Sequence, residues 1–76
     1  MYITDEDNPR LPFLRDKTSK LTTSPGCYIM KDKMKKIIYI GKAKNLRNRV
    51  TSYFRKCQDH LPKVWKMVSH VYDYDF

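Results

Sequence analysis

Two tracts rich in β-branched and aromatic residues, CYIMK at 27–31 and KIIYIG at 36–41, stand on either side of the four residues DKMK. Tracts this short and this close pair as the two arms of an antiparallel hairpin. A chain of 76 residues has room for one modest core, so the remaining elements must pack onto that ribbon. A symmetric loop centred between Lys33 and Met34 sets Tyr28 opposite Tyr39 and Met30 opposite Ile37. Cys27, Ile29, Ile38 and Ile40 then share the other face, which is wholly apolar and is the expected core side. The two tyrosines are left side by side on the uncovered face. A loop with an odd number of residues shifts the register and separates them.

The hairpin hands the chain directly into NLRNRVTSYFRK, where Leu46, Val50, Tyr53 and Phe54 recur at helical spacing and Asn45 is a suitable N-cap. Arg49 and Tyr53, one turn apart at the edge of that stripe, present their polar ends together. A second helix is expected from about Pro62, with Leu61, Val64, Trp65 and Val68 as its stripe and Trp65 as a core anchor. HVYDYDF alternates and reads as a third strand. Ahead of the hairpin, LPFLRDKTSKL suits a short helix with Pro12 in its first turn, and TTSPG breaks the chain. The acidic opening MYITDEDN lacks periodicity and reads as a poorly ordered lead. The domain reading is a lead over 1–23 and a functional unit over 24–76.

Charge narrows the partner. The net charge is +8, yet residues 31–56 hold ten basic side chains and only Asp32 against them. The excess lies in one block, which suits a polyanion such as nucleic acid or an acidic membrane surface. Lys31, Lys44, Asn45, Arg47 and Arg55 are the candidate DNA contacts in that block. Cys27 and Cys57 have neither a metal-ligand spacing nor a disulfide pattern, and both are expected as small core residues of a reduced, cytoplasmic protein. No apolar run approaches the ~20 residues of a membrane span.

Two tyrosines on one face, Lys42 just after the second, and Arg49 with Tyr53 at the start of a helix suit attack on a phosphodiester. Charge that develops on the non-bridging oxygens calls for an arginine fork, and water calls for a base. A phenol with a free pKa of ~10 serves only where its phenolate is favoured, and a neighbouring ammonium or divalent ion acts in that direction. The glycine of YIG lets the backbone pass close to a phosphate. Asp73 and Asp75 share one face of the last strand and read as solvent-facing; His60 and His70 are assigned no catalytic role.

GCY at 26–28 and YIG at 39–41, followed by GKAKNLRNRVTSYF and preceded by SPG, resemble the paired signature of the GIY-YIG endonucleases. The likeness is strongest to the branch formed by N-terminal nuclease domains of an excinuclease subunit. The resemblance implies an α+β fold, a small three-stranded antiparallel sheet flanked by helices. It implies metal-dependent hydrolysis of one strand of damaged duplex DNA, 3′ to a lesion, with Mg2+ or Mn2+ and with the other excinuclease subunits as partners. It implies that Tyr28 positions water and phosphate, that Tyr39 is the general base and that Lys42 stabilises the phenolate. By the same resemblance Arg49 binds phosphate and Tyr53 is a further active-site tyrosine. The family's metal-binding glutamate and a following asparagine lie on a helix beyond the third strand. Glu6 is the one glutamate in this sequence, and it stands in the lead. No metal ligand is therefore assigned, and the 76 residues are expected to bind DNA weakly without cutting it and to self-associate through uncovered sheet. Two other readings remain: a non-catalytic nucleic-acid-binding module that stacks bases on its tyrosines, and a domain that docks an acidic protein.

Overall fold

A computed structural model describes residues 1–56 and 58–76. The order of elements is α1 (Leu11–Ser19), β1 (Gly26–Lys31), β2 (Ile37–Ala43), α2 (Leu46–Phe54), α3 (Pro62–His70) and β3 (Asp73–Asp75). The strands form one antiparallel sheet in the order β2-β1-β3, which makes the class α+β. No helix is long and apolar enough to cross a membrane.

The hairpin forms as expected but in another register. Asp32 donates its N–H to the Lys36 carbonyl at 3.0 Å, leaving Lys33, Met34 and Lys35 as a three-residue loop. Lys35 takes a left-handed φ of 65°, the conformation that closes loops of this length and that normally falls to Gly or Asn. An odd loop alone would put Tyr28 and Tyr39 on opposite faces. A bulge between Met30 and Lys31 adds one residue, Ile38, on the β2 side, so Lys31 pairs with Ile37 while Met30 pairs with Tyr39. The two one-residue offsets cancel in parity. Tyr28 lies opposite Gly41, and Tyr39 is its diagonal neighbour on the same face.

Which face is covered is the reverse of the expectation. Tyr28, Met30 and Tyr74 are buried, with Leu11, Leu14, Leu46, Val50, Phe54, Val68 and Val71, in one core beneath the helices. On the other side Cys27 is exposed, Ile29 half-buried and Ile40 exposed. Only Ile38, displaced by the bulge, packs against the core from the set proposed as the core face. Both faces of the hairpin are apolar enough to bury, so alternation alone could not rank them. The tyrosine face prevails because its hydroxyls find partners: Tyr28 with Tyr53, and Tyr74 with Thr18, each at 2.8 Å. Cys27 is therefore not a core residue, and Cys57 lies outside the described residues.

The opening residues are anchored rather than loose. Ile3 and Asn8 are buried, and the Asn8 side-chain amide donates to the carbonyls of Val68 and Val71 at 2.9 and 2.8 Å. Trp65 packs against the core and donates its indole N–H to the Tyr2 carbonyl at 3.0 Å. A segment of low hydrophobicity is held here because its few apolar and amide groups find buried sites, which local composition does not register.

Candidate active site

Helix α2 carries the site, and its position is fixed by its first turn. Asn45 accepts the Asn48 N–H on its side-chain oxygen at 3.0 Å, and the N–H groups of Leu46 and Arg47 donate to the carbonyls of Ser24 and Thr22. The loop before β1 is thus fastened to the helix after β2. Leu46, Val50 and Phe54 point into the core, and Tyr53 hangs from the edge of that stripe over the sheet.

There it meets the hairpin. The rings of Tyr28, Tyr39 and Tyr53 form a triangle, with centroids 6.1 Å apart for Tyr28–Tyr39, 5.7 Å for Tyr28–Tyr53 and 6.5 Å for Tyr39–Tyr53. Gly41 makes the room: a Cβ there would stand 2.3 Å from the Tyr28 hydroxyl. The glycine of YIG is accordingly required for the close passage of a tyrosine ring. Its φ is not positive, so space rather than backbone freedom is the reason.

The three hydroxyls differ. Tyr28 is 1% exposed and Tyr53 6%, and their hydroxyls bond to one another. Burial pushes the Tyr53 phenol well up, the Tyr28 hydroxyl adds to the rise, and the nearby Arg49 guanidinium offsets only part of it. Tyr53 is therefore held as a neutral phenol. Arg49 lies with its guanidinium carbon 5.4 Å from the Tyr53 ring centre and is held more firmly protonated, first by the Tyr28 hydroxyl and then by the Tyr53 and Tyr28 phenols. Tyr39 is 42% exposed, and among the described residues its hydroxyl has no protein partner. It is the phenol open to a ligand.

Tyr39, Arg49 and Tyr53, but not the buried Tyr28, line a groove of about 930 Å³ between β2, α2 and α3 that is apolar at Ile38, Val64 and Met67. His60, which the sequence left without a role, forms part of the wall. Its Nε2 lies 3.0 Å from the Tyr53 carbonyl, which can only accept, so Nε2 carries a proton. Its ring tilts against Tyr53 at 6.4 Å. Nothing in its spacing could have found it, because the loop that carries it is brought back by contacts with the chain start: its N–H donates to the Met1 carbonyl at 2.8 Å.

Tyr28, Tyr39, Arg49 and Tyr53 come together. Lys42 does not lie among them: it pairs with Cys27 and leaves β2 on the other face, exposed. Lys31 also faces that side, where its ammonium is paired with Asp75. Lys44, Arg47 and Arg55 are exposed at the two ends of α2, and the Asn45 side chain is occupied as the helix cap. Asp73 is paired with Lys17 at 2.8 Å.

The family model described as the UvrC-like GIY-YIG domain matches residues 24–76. UvrABC system protein C of Streptococcus pneumoniae (strain JJA) is 56% identical over 63 residues. The protein of that name from Bdellovibrio bacteriovorus is 51% identical over the same length. Each match covers 83% of this chain and 10% of the relative, so the chain spans about a tenth of the length of these curated relatives. Among solved structures, the GIY-YIG N-terminal endonuclease domain of UvrC from Thermotoga maritima, bound to magnesium as its catalytic divalent cation, superposes with a TM-score of 0.69. It is 35% identical, and the match covers 83% of this chain and 66% of that one.

Proposed function

Because the chain belongs to the UvrC-like GIY-YIG family, we propose that its tyrosine groove is the phosphodiester site of a DNA endonuclease domain in nucleotide excision repair. The observation that carries the reading is the pairing of Tyr28 with Tyr53, which leaves Tyr39 the one accessible phenol beside Arg49. In this reading Arg49 holds the non-bridging oxygens, the Tyr28–Tyr53 bond fixes the Tyr53 ring beside it, and Tyr39, as its phenolate, takes the proton of the attacking water. Lys42 leaves the sheet on the far face and is assigned no step in this reading. The strand is cut 3′ to the lesion, with damaged duplex DNA and the other UvrABC subunits as partners. Lys44, Arg47 and Arg55 track the backbone.

The described residues do not make a site for Mg2+ or Mn2+. Asp32, on the groove, accepts the N–H groups of Met34 and Lys36 at 2.9 and 3.0 Å, and Asp59 is bound by the amino group of Met1. Among the described residues no three His, Cys, Asp or Glu side chains gather. The relative's magnesium-bound domain is longer than the matched stretch. We therefore assign the carboxylate for that ion to sequence outside residues 1–76, and expect these residues to bind DNA without cutting it. A plasmid and lesion-duplex nicking assay with magnesium or manganese checks this; robust nicking by the 76-residue chain means that its own carboxylates suffice.

The catalytic reading is tested in the full-length protein by Tyr39→Phe. Loss of the hydroxyl is expected to lower incision by at least ~100-fold, the usual scale of a positioned acid–base group, with DNA affinity little changed. A base-stacking role for Tyr39 would instead leave both intact.

A further inference from the structure

The loop of the β1–β2 hairpin is built against its own backbone preferences. Lys35 occupies the left-handed position at φ 65° that favours glycine. Met34, next to it, is 78% exposed, more than any other large apolar side chain among the described residues. Lys33, Lys35 and Lys36 surround it, and all three are exposed. The tip is nevertheless tied by hydrogen bonds to Asp32. Asp32 accepts the N–H groups of Met34 and Lys36 on one carboxylate oxygen, and its carbonyl accepts the Lys35 N–H at 2.9 Å. An exposed thioether and a cation at a glycine position do nothing for the turn. They suit a surface that meets a polyanion with an apolar interior.

Resting on the nuclease reading above, we propose that this tip is a duplex-probing wedge: Met34 inserts between base steps while Lys33, Lys35 and Lys36 hold the flanking phosphates. Apolar wedges set among cations are a general means of unstacking and kinking DNA. The placement is concrete. Tyr39 and Lys35 are four residues apart along the hairpin, and the bulge and the turn between them keep the separation below ~13 Å, the extended limit at about 3.3 Å per residue. That limit is roughly four base-pair steps at about 3.4 Å each, so the distortion falls within about four pairs of the phosphate facing Tyr39. Asp32 borders both the groove of the tyrosines and a second groove that includes Lys33 and Met34, which makes the two surfaces continuous.

The test uses the 76-residue chain and short duplexes carrying 2-aminopurine at scanned positions. Binding is expected to raise the probe's emission at one step, and Met34→Ala to abolish that rise while leaving the salt dependence of binding unchanged. Changing Lys33, Lys35 and Lys36 to Gln is expected to flatten the slope of log K against log salt by about 0.9 for each phosphate no longer neutralised. Lys35→Gly separates binding from folding: it suits the backbone and should raise Tm, yet weaken DNA binding. If Lys35→Gly and Met34→Ala both bind and perturb DNA as the parent does, the wedge is overturned and the nuclease reading stands. If the parent chain shows no salt-dependent DNA binding, both are overturned. Met34-dependent insertion into phosphatidylserine vesicles, with DNA unaffected, overturns the wedge in favour of a membrane contact.

Discussion

Gly41 and Tyr28 define the site at the scale of single residues. The strand face of β2 is empty at Gly41 so that a phenol ring from β1 can lie across it and reach Tyr53. Gly41→Ala should force that ring aside. The blocking atoms belong to a buried aromatic in a packed cluster, not to the end of a flexible chain. The expected cost is about 1–3 kcal/mol, as for other overpacked cores, with loss of the Tyr28–Tyr53 bond. Urea unfolding measures the first, and the NMR shift of the Tyr53 hydroxyl neighbourhood the second. GCY and YIG were legible in the sequence as a pair of tyrosines on one face. That the glycine serves the other signature tyrosine was not, since the contact runs between strands.

At the scale of elements, the short edge strand of the sheet is held by the buried Tyr74, and an ion pair adds to it. Strand β3 has three residues, and Asp73 ties it to α1 through Lys17. Burial alone would push the Asp73 carboxyl up, but the hydrogen bond from Lys17, the Tyr74 N–H and the charges of Lys17 and Arg10 outweigh it and hold the carboxyl below its usual range. A carboxyl lowered on folding stabilises the fold above its unfolded pKa of ~3.9 and loses that contribution as pH falls through the folded value. Asp73→Asn should therefore lower stability at neutral pH, by less than about 1 kcal/mol for so exposed a pair. The difference should vanish in stronger acid, as thermal melts across that range would show. The hairpin behaves in a related way. Its existence follows from composition and its register from two backbone details, a three-residue loop and a bulge at Ile38. Neither carries a Gly or Asn that would mark it.

For the whole molecule, the covered and open faces of the sheet have different uses. The covered face holds the core and, at its margin, the tyrosine groove. The open face leaves Cys27 and Ile40 exposed, with Ile29 half-buried beside them. We expect these 76 residues to self-associate through that side, and Ile40→Lys to suppress it. Light scattering across a concentration series checks this, and a parent chain that stays monomeric at high concentration counts against it. The sequence by itself determined the order of helices and strands, the N-cap at Asn45, the basic block and the company of Arg49 and Tyr53. Those follow from local spacing and from the short path between hairpin and helix. Only the tertiary structure decided which face of the hairpin is buried, that Lys42 leaves on the other side, that the first eight residues are held and that His60 lines the groove. Each depends on whether a polar group finds its partner across the fold, and such pairings join residues that no local pattern connects.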